Sequence, residues 1–593
     1  MSDLHTLSGE NPEQEARNDK YEDDENKVGP HLGASHPVDP YPPVDQLGYS
    51  DEEEPQNGVL QMEAITAVWS KRSLTVVYIF MFLLYFVNAF RSAITSNLGA
   101  YVVSGFEAHS LIPVIAIVGN VMSAASYMLV AKILNLFDRS YGFAFMTLLG
   151  VVGLILSATC TNIATYCAAE VFTSVGFTSL ILSIDIITTD TSSLRDRGLA
   201  YAFTSSPYII TAFAGPKSAE GFYDTNWRWG YGSFAIILPF VAAPLFSVLQ
   251  YNKIKATRQG LLVKNKSGRT WREAIWFYII EFDLLAVFLL AGGLVLFLLP
   301  FSLAASTSDE WRSASIVSML VIGFVMLVAF GLVERFVSPK PFIPYVLLVD
   351  RTVLGACLCD LTYQIAYYCW ASYFQSYLQV VFNLSISTSG YIGSTFDVVS
   401  GVWLLGVGYL IRKTGYFRWL LWIAVPLYLL GVGLMIHFRQ PGMNIGYVVM
   451  CQIFIAFAGG TMIICQQVAV LSVASHNDAA AMLALLGLFG NVGGAVGNSI
   501  SGAIWTHIFP DALQRLLPAE TVGNWETIYE DLAVQLSYEV GDPTRYAIQM
   551  AYAEAQSKML IAGTAVMGLA IVCVAIIRNI KVSEIEQVKG MLF

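Results

Sequence analysis

The sequence predicts an all-α polytopic membrane protein, and three observations carry that prediction. Of 593 residues, 55% are hydrophobic and only 13% are charged, and the mean hydropathy is +0.58. Apolar runs such as LTVVYIFMFLLYFV (74–87) and LLAVFLLAGGLVLFLLP (284–300) recur along nearly the whole chain, each near the ~20 residues that a helix needs to cross the hydrocarbon core. Basic residues then alternate in abundance between successive connecting segments, as they do when loops face opposite sides of a bilayer.

Fourteen spans are predicted, near 74–98, 108–134, 141–160, 163–188, 198–216, 231–250, 280–303, 314–336, 353–380, 387–411, 418–437, 444–470, 479–507 and 558–578. With the N-terminus inside, the cytoplasmic segments from Lys71 onward hold 22 Lys/Arg and the opposite loops hold seven. This positive-inside bias places both termini in the cytosol. The segment KIKATRQGLLVKNKSGRTWR after span six supplies seven of those basic residues and reads as the seam between two six-helix halves.

The net charge of −11 belongs to one tail. Residues 1–60 hold 15 Asp/Glu against three Lys/Arg, leaving 29 acidic and 30 basic residues for the rest. Seven prolines and few aliphatic clusters mark that tail as a disordered segment unable to bury enough apolar surface to fold. The expected organisation is an acidic cytosolic tail (1–70), a first six-helix half (71–252), a basic cytosolic linker (253–279) and two extra spans (280–350). A second half follows (351–578) with an outer loop at 508–557, then a short cytosolic tail (579–593). That outer loop places Leu, Ile and Tyr at helical spacing, which suits either an amphipathic lid or a packed ectoloop. The short charged segments AKILNLFDRSYG (131–142) and GYLIRKTGYFR (408–418) each follow the second span of a half. Such internal symmetry is that of transporter repeats built around a midplane site.

Several spans carry polar groups at membrane depth. The stretch CDLTYQIAYYCWASYFQSYLQ (359–379) holds five tyrosines, a tryptophan and an aspartate. On a helix advancing ~100° per residue, Asp360, Tyr363, Gln364, Tyr367, Tyr368, Phe374 and Gln375 fall within roughly 140° of one another. That stripe reads as facing away from lipid, toward a cavity or toward neighbouring helices. Span one gathers Tyr85, Asn88, Ser92, Thr95 and Ser96 on one side, with Arg91 at its edge. Span four gathers Glu170, Ser174, Phe177 and Asp185. Arg91 and Glu170 stand at similar depth, which predicts a buried pair. Asp397 lies near the middle of span ten, and span twelve offers Gln452, Gln466 and Gln467.

Ionisable groups at membrane depth are candidates for proton relays or substrate contacts. Desolvation disfavours the charged form of a carboxyl, so one without a cation beside it can take up and release protons. Asp360 and Asp397 are read in this way, whereas Asp185 and Asp283, near span ends, equally suit structural pairing.

No enzyme chemistry is indicated. The chain has no P-loop, no H-E-x-x-H and no G-x-S-x-G, and its seven histidines form no cluster. A gradient-driven carrier is therefore favoured over an ATP-driven pump. The eight cysteines (160, 167, 357, 359, 369, 451, 465, 573) all fall in apolar segments and read as packing residues. No catalytic residues, metal ligands, cofactors or nucleic-acid partners are expected.

Two six-helix halves, the charged loops after spans two and ten, and WRWGYG (227–232) resemble the major facilitator superfamily. The 408–418 loop fits its G-x-L-x-D/R-R/K-x-G pattern. Fourteen spans, with an extra pair between the halves, resemble the subgroup of multidrug/proton antiporters and fungal siderophore–iron transporters. DRGLAYAFTSSPYIITAFAGPKSAEGF (196–222), RFVSPKPFIPYVLLVDRTVLGAC (335–357) and SYFQSYLQVVFNLSISTSGYI (372–392) are similar to segments of the siderophore family, its MirB-type members above all. Drug antiporters carry a glycine-rich run ending in Gly-Pro in span five. Here Gly215-Pro216 is present, but Ser206 and Pro207 stand where the earlier glycine is expected.

The resemblance implies proton-coupled uptake of a whole ferric siderophore, of the hydroxamate type, across the plasma membrane by alternating access. Tyr363, Gln364, Tyr367, Tyr368, Trp370 and Gln466, with Tyr85 and Asn88 opposite, would line the site. Asp360, Asp397 and Glu170 would couple protons, with Arg91 biasing them. A drug/proton antiporter is the alternative within the class, and a non-transporting membrane receptor for iron status is the alternative outside it.

Overall fold

The computed structural model describes residues 57–582 apart from 193–195, 263–269, 308, 344 and 475–477. The acidic tail up to residue 56 and residues 583–593, both expected as cytosolic tails, lie outside the described residues. All regular structure among the described residues is helical, as backbone that must satisfy itself inside hydrocarbon requires.

The ordered chain begins earlier than the charge pattern suggested. Helix α1 (Asn57–Val68) brings Met62, Ile65 and Val68 to one side, and these are buried with Trp69. It precedes α2 (Lys71–Ser104), where the Ser70 hydroxyl accepts from the Ser73 N–H and satisfies one otherwise unpaired helix-end donor. Asp138 and Asn162 cap α4 (Arg139–Thr159) and α5 (Ile163–Thr191) in the same way, with α3 (Ile112–Leu136) before them. The fifth pass is split into α6 (Arg197–Ser205) and α7 (Pro207–Thr225), with Pro207 in the first turn of α7, where its missing N–H costs no bond. The first group ends with α8 (Trp229–Arg258). One apolar core, running from Met62 to Ala256, holds it together.

A capping box of Thr270 and Glu273 starts α9 (Trp271–Glu281). Next come α10 (Leu284–Leu298), its extension α11 (Pro300–Leu303) and α12 (Ala314–Phe336). α10 and α12 pack on each other closely enough that a Cβ at Gly323 would lie 2.6 Å from the Phe297 nitrogen. α12 buries only Ile316 and Gly323, the burial pattern of a helix whose other sides face hydrocarbon.

The second group opens with α13 (Tyr345–Val349) and α14 (Arg351–Ala371). The aromatic stretch 359–379 is two helices, because the chain breaks at Ser372–Tyr373 before α15 (Phe374–Phe382). α16 (Ile386–Gly393), α17 (Thr395–Thr414), α18 (Arg418–Phe438) and α19 (Ile445–Leu471) follow. The 38-residue α20 (Ala479–Leu516) runs past the predicted end of its span. Short helices α21 (Trp525–Glu530) and α22 (Leu532–Ser537) then lead to α23 (Pro543–Met567) and α24 (Ala570–Ile576). The outer connection is therefore 517–542, shorter than the 508–557 read from hydropathy, because amphipathic turns extend both flanking helices.

Among the described residues, twelve helical stretches are long and apolar enough to cross a membrane. The broken, more polar α6–α7 and α14–α15 add two further long passes within the bundle. α14 is gripped from two sides by glycines. A Cβ at Gly493 or Gly497 of α20 would lie 2.5 Å or 2.8 Å from the Leu361 or Ile365 carbonyl oxygen, and one at Gly563 of α23 would lie 2.7 Å from that of Ala366. Small residues of this kind let helix backbones approach within a membrane.

The bundle has two distinct ends. At one, here the linker end, Lys255 donates to the Val68 carbonyl and Arg578 pairs with Asp350. At the other, the cap end, the 517–542 connection lies over the helix termini.

Candidate functional site

Between the two groups lies a cavity of about 460 Å³. The first group contributes Tyr85, Tyr127, Asp185, Tyr201, Ser205 and Tyr208. The second contributes Asp360, Gln364, Asp397, Gln466, Gln467 and Asn491, with apolar walls from Phe396, Leu404 and Ile463. Three carboxyls thus face one space, and among the described residues its lining contains no Lys, Arg or His.

The carboxyls differ in their partners. The Tyr85 hydroxyl donates to Asp185 at 2.6 Å. The Gln466 amide, oriented to satisfy both groups, donates to Asp360 Oδ1 at 3.2 Å and accepts from the Asp360 N–H at 3.2 Å. Asp397 lines the cavity one turn from the start of α17, beside Phe396. Around them, Asn88 donates to the Tyr208 hydroxyl at 2.9 Å, and Tyr201 and Thr189 share a bond of 2.6 Å. Asn88 therefore reaches the cavity through Tyr208.

The aromatic residues of α14 stand behind this wall. Tyr363 packs edge-on to Tyr428 at 5.4 Å, and a Cβ at Gly459 would lie 2.8 Å from its hydroxyl. Tyr367 packs on Tyr368, Trp370 and Phe396 at 5.2, 5.3 and 6.1 Å between ring centres, so Phe396 connects it to the lining. Tyr368 lies against Gly494 of α20. Trp370 is buried beside the Arg439 guanidinium, 4.7 Å from its ring centre.

Arg91 and Glu170 do not form an ion pair within 4.0 Å among the described contacts. The Arg91 guanidinium sits 4.1 Å over the Phe177 ring, and Glu170 accepts from Ser174 at 2.9 Å. Their charges still interact across this short gap. Phe177, which the helical projection placed beside Glu170, takes the Arg91 guanidinium on its ring face instead.

Sequence reading placed Tyr85, Gln364, Gln466, Asp360 and Asp397 at the site, and these line the cavity. It weighed Asp185 as a helix-end residue and passed over Tyr127, Tyr201, Tyr208 and Asn491. Tyr127 was signalled by Asn120 and Ser123, which stand seven and four residues before it on one face of α3. Its counterpart was Gly487, where a Cβ would run into the Tyr127 ring.

At the cap end the two groups meet directly. Glu530 accepts from the Ser110 N–H at 3.0 Å and from its hydroxyl at 2.8 Å. Tyr373 donates to the Ser110 carbonyl at 3.0 Å, and Gln375 donates to Asn97 at 2.7 Å. Tyr101 bonds to Gln379, and the Leu532 N–H donates to Ser104 at 3.3 Å. At the linker end, Arg412 pairs with Asp196 at 2.8 Å, where Gly408 also approaches Gly198. Among the described residues no group of three or more His, Cys, Asp or Glu could hold a metal ion. All eight cysteines are unpaired.

Comparison with known proteins places this arrangement. The sequence profile of the Major Facilitator Superfamily matches residues 76–498. The chain is 65% identical over 542 residues to MFS siderochrome iron transporter D of Aspergillus fumigatus, covering 91% of this chain and 90% of the relative. It is 50% identical over 550 residues to siderophore iron transporter mirB of Emericella nidulans, covering 92% and 91%. Among solved structures, a peptide transporter POT in complex with sulfate aligns at TM-score 0.53 and 13% identity over 88% of this chain and 99% of that one. A bacterial homologue of the lysosomal transporter Spinster aligns at TM-score 0.52 and 13% identity, over 86% and 97%. Identity at that level speaks to the fold alone. The family is one of transporters rather than enzymes, and the chain belongs to it: the siderophore iron transporters of the Major Facilitator Superfamily.

Proposed function

We propose that the chain imports ferric siderophores of the hydroxamate type, coupled to protons, across the plasma membrane by alternating access, with both termini in the cytosol. The observation that carries this reading is the cavity between the two groups, walled by hydroxyls, amides and three carboxyls without a cation. Tyrosine supplies an apolar face and a hydroxyl donor, which suits a bulky, oxygen-rich complex of little net charge. The carboxyls suit the driving ion, because a desolvated carboxyl trades a proton with its surroundings as its neighbours change.

In this orientation the cap end faces outside, and the contacts of Ser110, Asn97 and Tyr101 keep the outer door shut. The iron travels as cargo with its coordination sphere filled by the siderophore. It therefore needs no ligand from the chain, and the proton gradient rather than a resident cofactor provides the drive. The names of the relatives support this cargo, and the acidic cavity supports the coupling.

The test is growth of a siderophore-uptake-deficient yeast that expresses the chain and is fed ferric siderophores one at a time under iron limitation. Rescue by at least one ferric hydroxamate, with radiolabelled iron accumulating inside, is the expected result. Export of preloaded organic molecules without iron uptake would favour the antiporter instead.

A further inference from the structure

We propose that the cavity sorts ferric complexes by charge, admitting uncharged and cationic ferric hydroxamates and excluding anionic ones, with Asp185 and Asp397 as specificity-determining residues. The inference rests on the siderophore reading above and narrows its cargo.

Its first support is composition: three carboxyls and no Lys, Arg or His in the lining. Its second is distribution. Asp185 enters from α5 in the first group, while Asp360 and Asp397 enter from α14 and α17 in the second. Cargo held between the groups therefore has a carboxyl on either side. The partners of these acids do not offset them, since Tyr85 and Gln466 are neutral. Two cations among the described residues neighbour lining tyrosines. Arg197, beside Tyr201, donates to the Thr189 and Ser192 carbonyls behind the wall. The Arg91 guanidinium, beside Tyr208, is stacked on Phe177 and interacts with Glu170, so its charge is matched within the first group.

An anionic complex entering this space meets like charge in a low-dielectric setting with nothing to compensate it. Rejection by an unpaired repulsive element is an established route to specificity. An uncharged complex meets no such repulsion, and the amide N–H groups of Gln364 and Gln467 can donate to its hydroxamate oxygens. A cationic side arm gains a carboxylate.

The test holds shape nearly constant and changes charge. One linear ferric trihydroxamate is prepared with its terminal amine free, acetylated or succinylated, giving a cation, a neutral complex and an anion. Each competes with uptake of the radiolabelled acetylated form in cells expressing the full chain. The free-amine and acetylated forms should compete within about threefold of each other, and the succinylated form should need at least ~10-fold more. In the Asp185→Asn/Asp397→Asn double variant, read by quenching of tryptophan fluorescence in the purified protein because Asp397→Asn removes proton-driven uptake, that gap should close to under about threefold. The same quenching in the purified parent chain gives the reference ratio. A merely structural role for the two residues would weaken all three forms alike.

Equal competition by the succinylated form in the parent chain overturns charge sorting and leaves the siderophore reading standing. Persistence of the gap in the double variant overturns the roles of Asp185 and Asp397. Failure of these three complexes and of a cyclic ferric trihydroxamate to bind or enter overturns the siderophore reading itself, and charge sorting with it.

Discussion

The two ends of the bundle join the same two helix groups in different ways. At the cap end they are laced by hydrogen bonds among neutral groups and two carboxylates, Glu530 and Glu220, on elements that include the 517–542 connection. Toward the linker end they part around a cavity whose carboxyls have neutral partners or none on the wall. A door closed by many modest hydrogen bonds can open when a few of them are exchanged, since each is worth only about 0.5–1.5 kcal/mol net. A cavity of desolvated carboxyls responds instead to a proton or a cargo. On the proposed reading, this contrast gives gating to one end and coupling to the space near the other.

The largest expected effect falls on the cavity. Asp397→Asn keeps the shape and removes the charge. At an effective dielectric near 20, a unit charge about 5 Å from its partner is worth roughly 3 kcal/mol. Proton-driven uptake should therefore fall by about 100-fold while the amount of protein at the membrane stays the same. Uptake within a factor of about two of the parent would remove Asp397 from the coupling scheme.

The cap end should respond next. Glu530→Ala leaves the buried Ser110 donors without their acceptor, at a cost of about 1–2 kcal/mol to the closed arrangement. A reporter thiol at Val102→Cys, buried near the cap end, should then react with a membrane-impermeant reagent about 5–30 times faster, after subtraction of the parent's native thiols. Unchanged labelling would show that the 517–542 connection does not hold this door.

A smaller effect is expected where the two regions join. Tyr367→Ala removes three edge-on or tilted ring contacts, one of them to the cavity-lining Phe396. Aromatic pairs add about 0.5–1.5 kcal/mol each, so the KM for uptake should rise about 3- to 10-fold. A lower maximal rate at constant KM would place Tyr367 in the moving parts and not in cargo support.

The smallest effect is a pH slope at the cap. Burial pushes the Glu530 carboxyl up, and its bonds from Ser110 offset this only in part. Released into water, the same group would return to its ordinary value, so the docked cap binds protons more readily than the released one. Docking is then favoured as pH falls and weakened as pH rises through the docked value. Labelling at Val102→Cys, normalised to a freely exposed thiol that carries the pH dependence of thiolate formation, should slow a few-fold as pH falls, and Glu530→Gln should flatten that slope.

The fold was legible because hydrocarbon imposes length and polarity on every span, and because Lys and Arg record sidedness. Ends were less legible. Hydropathy stopped span thirteen near 507, but α20 continues to Leu516 on amphipathic turns that hydropathy scores as loop. The site was partly legible for a related reason. Projection of 359–379 found a stripe turned from lipid, yet α14 touches α18, α19, α20 and α23. Turning from lipid therefore left several protein neighbours to choose from. Asp360 and Gln364 face the cavity, while Tyr363 packs on Tyr428 and Tyr368 on Gly494. Asp185 was discounted because the predicted span ended at 188. α5 runs to Thr191 and keeps Asp185 about 9 Å from the helix end, within reach of Tyr85. The close approach of α14 to α20 was written in GLFGNVGGAVG (487–497), a signal of packing that periodicity of apolar residues does not register.

The most direct test reconstitutes the full chain in proteoliposomes and follows radiolabelled ferric hydroxamate under an imposed proton gradient. Acid outside should drive accumulation above the equilibrium level, accompanied by cargo-dependent proton entry, and Asp397→Asn should abolish both. Accumulation that ignores the gradient, or net movement of the complex against the proton flow, would contradict the account.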